Sequence, residues 1–175
     1  MNVIRDDILI DENNYFSIAA FQGSILERDF EHNVETVLKQ LEIAESKNVD
    51  VLCMPESFLH GYFDSKEEAL QYSIDLSSTE YAKLLEQFSQ FQKTTLLLGL
   101  NEKQGDKIYN TVVVIGNGKH LGQYRKAYTY PPYNYFTLGK EFPVFEKRGV
   151  KFGITICIDS AYMSSMLLIA NIFTD

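Results

Sequence analysis

Three short segments of this 175-residue chain carry residue types able to do covalent chemistry, each where a strand gives way to a loop. The first is 50–56, DVLCMPE. Its Glu56 follows an apolar run and a proline, a strand end from which a carboxylate can take and return a proton. The second is 122–126, GQYRK. Lys126 closes another strand and can stabilise a developing oxyanion or a thiolate. The third is 151–159, KFGITICID. Cys157 ends an apolar strand before a turn, and its thiolate is a strong nucleophile when a base and a cation stand near. Taken singly, each has a plainer reading: an exposed loop glutamate, a surface lysine, a buried structural cysteine. Cys53, inside a strand pattern, fits the last of these.

Other chemistries lack their residues. No phosphate-cradling G-x-x-x-x-G-K-[ST] occurs, and Gly116, Gly118 and Gly122 do not have the dinucleotide-binding spacing. His32, His60 and His120 are scattered, with no H-E-x-x-H or C-x-x-C, so no transition-metal site is expected. His60, four residues past Glu56, reads as a loop histidine, with substrate contact as the alternative. There is no G-x-S-x-G nucleophile elbow.

The chain as a whole narrows the partners. The net charge is -8, with 8 basic against 20 acidic residues in 1–106 and 8 against 4 in 107–175. A phosphate backbone is repelled on average, so nucleic acid is not an expected partner. No apolar stretch approaches ~20 residues, so no membrane span is expected. The start, MNVIRDDILIDENN, lacks the basic opening and apolar run of a signal peptide, and two cysteines are too few for a disulfide framework. A soluble, cytoplasmic protein is the expectation, with one domain for this length.

The elements that must position the three segments are legible as hydrophobic periods. Residues 15–21 (YFSIAAF) have the length of a buried strand. Residues 29–47 read as a helix with Phe30, Val34, Val37, Leu38, Leu41 and Ala44 on one face. Residues 49–54 form a second strand, and strand–helix–strand predicts a parallel pair. A short helix is predicted over 66–74. Ser77 with Glu80 has the capping-box spacing and opens a helix to about Lys93, followed by a strand at 95–100. Residues 108–115 and 120–125 flank Gly116-Asn117-Gly118 as a hairpin, and 144–146 and 150–156 flank Arg148-Gly149 as another. The fold class is α/β: a mixed sheet with helices on one face. The other face needs cover, and no later segment evidently supplies it.

The three segments, in this order, resemble the nitrilase superfamily, the carbon–nitrogen hydrolases. LCMPE gives Glu56, YRK gives Lys126 and GITICID gives Cys157. The strand and following helix at YFSIAAFQ, and the run FTLGKEFPVFE between lysine and cysteine, add to the resemblance, which spans about residues 16–174. It implies a partial αββα sandwich: a domain over 15–175 lacking the family's usual C-terminal part, after a tail or edge strand at 1–14. It implies hydrolysis of an amide or carbamoyl amine of a small molecule through a Glu56–Lys126–Cys157 triad, without metal or cofactor. The N–H of Ile158 would share the oxyanion with Lys126. Tyr130 and Tyr133, in the tyrosine-rich loop, are candidates to line the substrate pocket. A bare sheet face implies a homo-oligomer. An acyltransferase of the same superfamily would differ only in the acceptor. The alternative is a catalytically inactive, truncated remnant acting as a binding or interaction module. No glutamate lies between Lys126 and Lys140, where many members carry a second one, and Tyr128 stands where a histidine is frequent.

Overall fold

A computed structural model describes residues 15–129, 131 and 133–162. The expectations for 1–14, Tyr130 and the tail after Tyr162 lie outside the described residues.

Five strands form one sheet in sequence order: β1 (Ile18–Ala20), β2 (Val51–Cys53), β3 (Thr95–Gln104), β4 (Lys107–Gly116) and β5 (Lys119–Arg125). β1, β2 and β3 run parallel, and β3–β4 and β4–β5 are antiparallel. Asn117 and Gly118 both have positive φ, 51° and 64°, as a tight β4–β5 turn requires.

Among the described residues three α-helices are present: α1 (Phe30–Ser46), α2 (Lys66–Tyr72) and α3 (Thr79–Phe88). Asp29 caps α1 by accepting the His32 N–H. The predicted stripe of α1 meets the sheet: Val34, Val37, Leu41 and Ala44 are buried against Leu52, Leu96, Leu98, Leu100, Val113 and Ile115, with Tyr81, Leu84 and Phe88 of α3 in the same core. Each such leucine contributes about 1.5–3 kcal/mol by leaving water. The alternate residues of the same strands, Val51, Leu97, Val112 and Val114, enter a second core on the opposite face.

That second core corrects the expectation of an uncovered face. It is closed by Phe142, Phe145, Phe152, Ile154 and Ile156, from a two-stranded sheet of β6 (Val144–Lys147) and β7 (Val150–Gly153) and the chain beside it. The hairpin is pinned at its turn, where Arg148 Nη1 donates to Asp50 Oδ1 at 2.9 Å and Oδ2 at 3.1 Å. Burial alone would raise the Asp50 carboxyl, but hydrogen bonds from Arg148 and Ser17 outweigh it and hold the carboxyl below its ordinary range. A bare face therefore gives no argument for a homo-oligomer.

Four other expectations are corrected. The 15–21 run is a short edge strand: Phe16 reaches the second core, but Ile18 lies beyond its cover and is 64% exposed. The cap of α3 is Ser78, which accepts the Tyr81 N–H, because the Ser77 hydroxyl is taken by Asp75. That helix ends at Phe88, since Glu45 of α1 captures the N–H groups of Lys93 and Thr94 and turns the chain into β3. Finally, β3 runs on past Leu100 because its polar continuation is buried with partners. Asn101 bonds Ser57 and Gly61, and Glu102 accepts from Thr111 and Arg125.

Candidate active site

Pro55 ends β2, and Glu56 emerges at the carboxyl end of the parallel strands, where α/β sheets open into clefts. The turn that carries it lies flat on β3 at Gly99. A Cβ at that glycine would collide with Pro55 O and meet Ser57 N at 2.8 Å and Glu56 Cα at 3.0 Å. The turn is fixed beyond Glu56 by Ser57 Oγ donating to Asn101 Oδ1 at 3.0 Å and by Leu59 N–H donating to Gly99 O at 3.1 Å. Glu56 therefore rides on a turn clamped to β3 rather than on a free loop.

Lys126 follows β5 directly. Its N–H donates to Asn110 O and its carbonyl accepts the Gly139 N–H, both at 2.8 Å. Its neighbour Arg125 points the other way, pairing with buried Glu102 and lying 3.8 Å over the Tyr109 ring. Lys126 Nζ instead reaches Glu56 Oε1 at 2.6 Å, with side chains only 9% and 16% exposed. Asn110, on β4, donates through Nδ2 to the same oxygen, also at 2.6 Å. Two donors on Oε1 fix the carboxylate's orientation. The Tyr62 phenol stands against this group; burial, then the Glu56 charge, pushes its pKa well above the ordinary value, so it stays protonated.

Cys157 opens a short 3-10 turn (Cys157–Ala161) that follows β7 and the buried pair Ile154 and Ile156. Its φ is 49°, a left-handed conformation that costs a non-glycine residue about 1–3 kcal/mol, and its side chain is exposed. Glu56, Lys126 and Cys157 share the wall of one cavity of about 80 Å³, with Asn110, Tyr62 and Tyr133 beside them. Thr129 and Phe136 complete its lining. Tyr133 stacks on Tyr62 with ring centroids 4.8 Å apart. Two larger open clefts, about 670 and 510 Å³, flank β5 and contain none of the three.

Ile158 is half-buried in the turn beside the thiol. Tyr130 lies outside the described residues. Tyr135 is turned away: its hydroxyl donates to Phe63 O at 2.9 Å. His60 is a core residue, 3% exposed, with Nδ1 accepting the Asn101 N–H and burial lowering its pKa to about 3. Cys53 is half-buried in β2 with its thiol pushed up by burial. Sequence reasoning missed Asn110 and Tyr62. A signal for the first was available: an asparagine within an apolar strand must find a partner. Among the described residues, no three His, Cys, Asp or Glu side chains are grouped to hold a metal ion, and no helix is long and apolar enough to cross a membrane.

Comparison with known proteins gives the chain its class. Residues 17–171 match the carbon-nitrogen hydrolase family, and the chain belongs to that family. It is 33% identical over 137 residues to a glutamine-dependent NAD(+) synthetase of Thermotoga maritima, covering 75% of this chain and 23% of that protein. It is 29% identical over 151 residues to a nitrilase of Pyrococcus abyssi, covering 83% and 56%. The chain thus spans between about a quarter and just over half the length of these relatives. Its fold superposes on an amidase from Nesterenkonia sp. with a TM-score of 0.77 at 20% identity, over 91% of this chain and 62% of that one.

Proposed function

We propose that this chain carries a thiol-dependent carbon–nitrogen hydrolase site acting on an amide or carbamoyl amine of a small molecule. The observation that carries the reading is the Lys126–Glu56 pair at 2.6 Å on the wall of a cavity that Cys157 also lines. Glu56 takes the thiol proton, and the sulfur adds to the carbonyl carbon. The carbonyl oxygen becomes an oxyanion held by Lys126 and the N–H of Ile158. Collapse breaks the C–N bond, the leaving amine takes the proton from Glu56, and a thioester remains. Water, deprotonated by Glu56, adds to the thioester; collapse expels the thiolate, which is reprotonated as the acid leaves. Tyr133 and Tyr130 contact the substrate, and the reducing cytoplasm suits a site that needs a free thiol. A homo-oligomer is part of this reading on family resemblance alone.

A second reading, a non-catalytic binding module, is favoured by one observation: no glutamate between Lys126 and Lys140 supplies a second carboxylate for the lysine. One experiment separates the two. Ammonia release is followed with a panel of small primary amides and N-carbamoyl amines, using the wild-type chain and Cys157→Ala. Turnover lost in the variant supports the hydrolase. Full turnover in the variant contradicts this mechanism, and no turnover by either chain supports the binding module.

A further inference from the structure

Asp159 has no part in the chemistry proposed above, yet it is a fully buried carboxylate. Its partners are neutral donors from three separate places. Oδ2 accepts the Tyr124 hydroxyl at 2.7 Å and the Ile156 N–H at 3.1 Å, and Oδ1 accepts the Tyr128 N–H at 2.9 Å. A carboxylate is costly to keep out of water, so what this one holds in place is informative. Tyr124 is two residues before Lys126 and Tyr128 two residues after it. Ile156 immediately precedes Cys157, whose backbone is held at a φ of 49°. One side chain therefore grips both flanks of the lysine and the residue that sets the nucleophile's turn.

We infer that Asp159 is a positioning residue that fixes the Cys157 thiol in register with the Lys126–Glu56 pair, by tying the end of β5, the loop after Lys126 and the turn at Cys157 to one carboxylate. The inference rests on the roles proposed for those three residues. Asparagine cannot replace the aspartate. Whichever way its amide is turned, its NH₂ group faces either the Tyr128 N–H or the Ile156 N–H, and a donor then meets a donor.

The test needs no substrate and uses the chain's second cysteine as its reference. Iodoacetamide alkylation of Cys157 and of half-buried Cys53 is followed by mass spectrometry at pH 7, with the thermal unfolding midpoint measured in parallel. In Asp159→Asn, Cys157 alkylation slows about 10-fold, because thiolate reactivity depends on its placed neighbours, while Cys53 keeps its rate. An unchanged Cys157 rate, or acceleration of both cysteines together, overturns the inference; the second result marks a general loosening of the fold. If Asp159→Asn does not fold, Tyr124→Phe decides. It removes one of three donors, and about threefold slowing of Cys157 alone supports the tie, while an unchanged rate overturns it. Glu56→Gln distinguishes the two levels. Unchanged alkylation there overturns the base assignment and the inference with it. Slowing there without slowing in Asp159→Asn overturns the positioning role alone.

Discussion

Lys126 Nζ lies 2.6 Å from Glu56 Oε1 although 70 residues separate them in sequence. The contact joins the loop after β2 to the end of β5, across β3 and β4, so its geometry is set by the register of four strands. Few substitutions in those strands should leave it untouched, and some distant ones should act through it.

Asn110→Leu keeps the branched shape of the side chain at β4 and removes the second donor on Glu56 Oε1. A hydrogen bond to a charged group is worth about 1.5–3 kcal/mol, so kcat for amide hydrolysis should fall by about 10- to 100-fold. The unfolding midpoint should move far less than the rate, since the leucine also removes the unpartnered Asn110 Oδ1. Steady-state kinetics with calorimetry on the same preparation checks both halves.

Gly99→Ala should act on Glu56 from the neighbouring strand. The new methyl meets backbone atoms of Pro55, Glu56 and Ser57, which have little room to yield. Overpacking of this kind costs about 1–3 kcal/mol and shifts the turn that carries the carboxylate. Lower stability together with lost amide turnover is expected. Gly105→Ala, where nothing lies within 4 Å but φ is 62°, should cost about 1 kcal/mol and spare turnover.

His60 predicts a pH dependence of stability. Its folded pKa is lowered by burial to about 3 from an ordinary 6.5, so the unfolded chain binds a proton that the native state refuses. Its contribution is fully present above pH 6.5 and is lost as the pH falls from there toward about 3, at up to about 1.4 kcal/mol per pH unit. His60→Asn, whose Oδ1 can still accept the Asn101 N–H, should flatten denaturant-unfolding free energies across that window. An acid limb as steep as in the wild type would show that another group is responsible.

The elements that carry the site were readable where periodicity is local. The 3.6-residue stripe from Phe30 to Ala44 and the alternation of Leu96, Leu98 and Leu100 with Leu97 correspond to real faces of α1 and β3. What was not readable depends on distant neighbours. Gly99 is a glycine because of a turn far back in the chain, and nothing in TLLLGL says so. Asn110 looks like a flaw in an apolar strand until Glu56 is placed beside it. The cover over the second sheet face comes from strands of four residues, too short for a period to declare which way Phe145 and Phe152 point. Glu56, Lys126 and Cys157 were singled out because each follows a run that reads as a strand, a feature that sequence does mark, although β7 ends at Gly153, four residues before Cys157.

The central claim is that Cys157 becomes acylated during turnover. Its most direct measurement is acid-quenched, rapid-mixing mass spectrometry of the wild-type chain with a small primary amide that it hydrolyses. The account predicts a mass increment equal to the acyl group on the peptide bearing Cys157, appearing within the first turnover and absent in Cys157→Ala, which releases no ammonia. Hydrolysis with that peptide unmodified throughout, and an undiminished rate in Cys157→Ala, would contradict it.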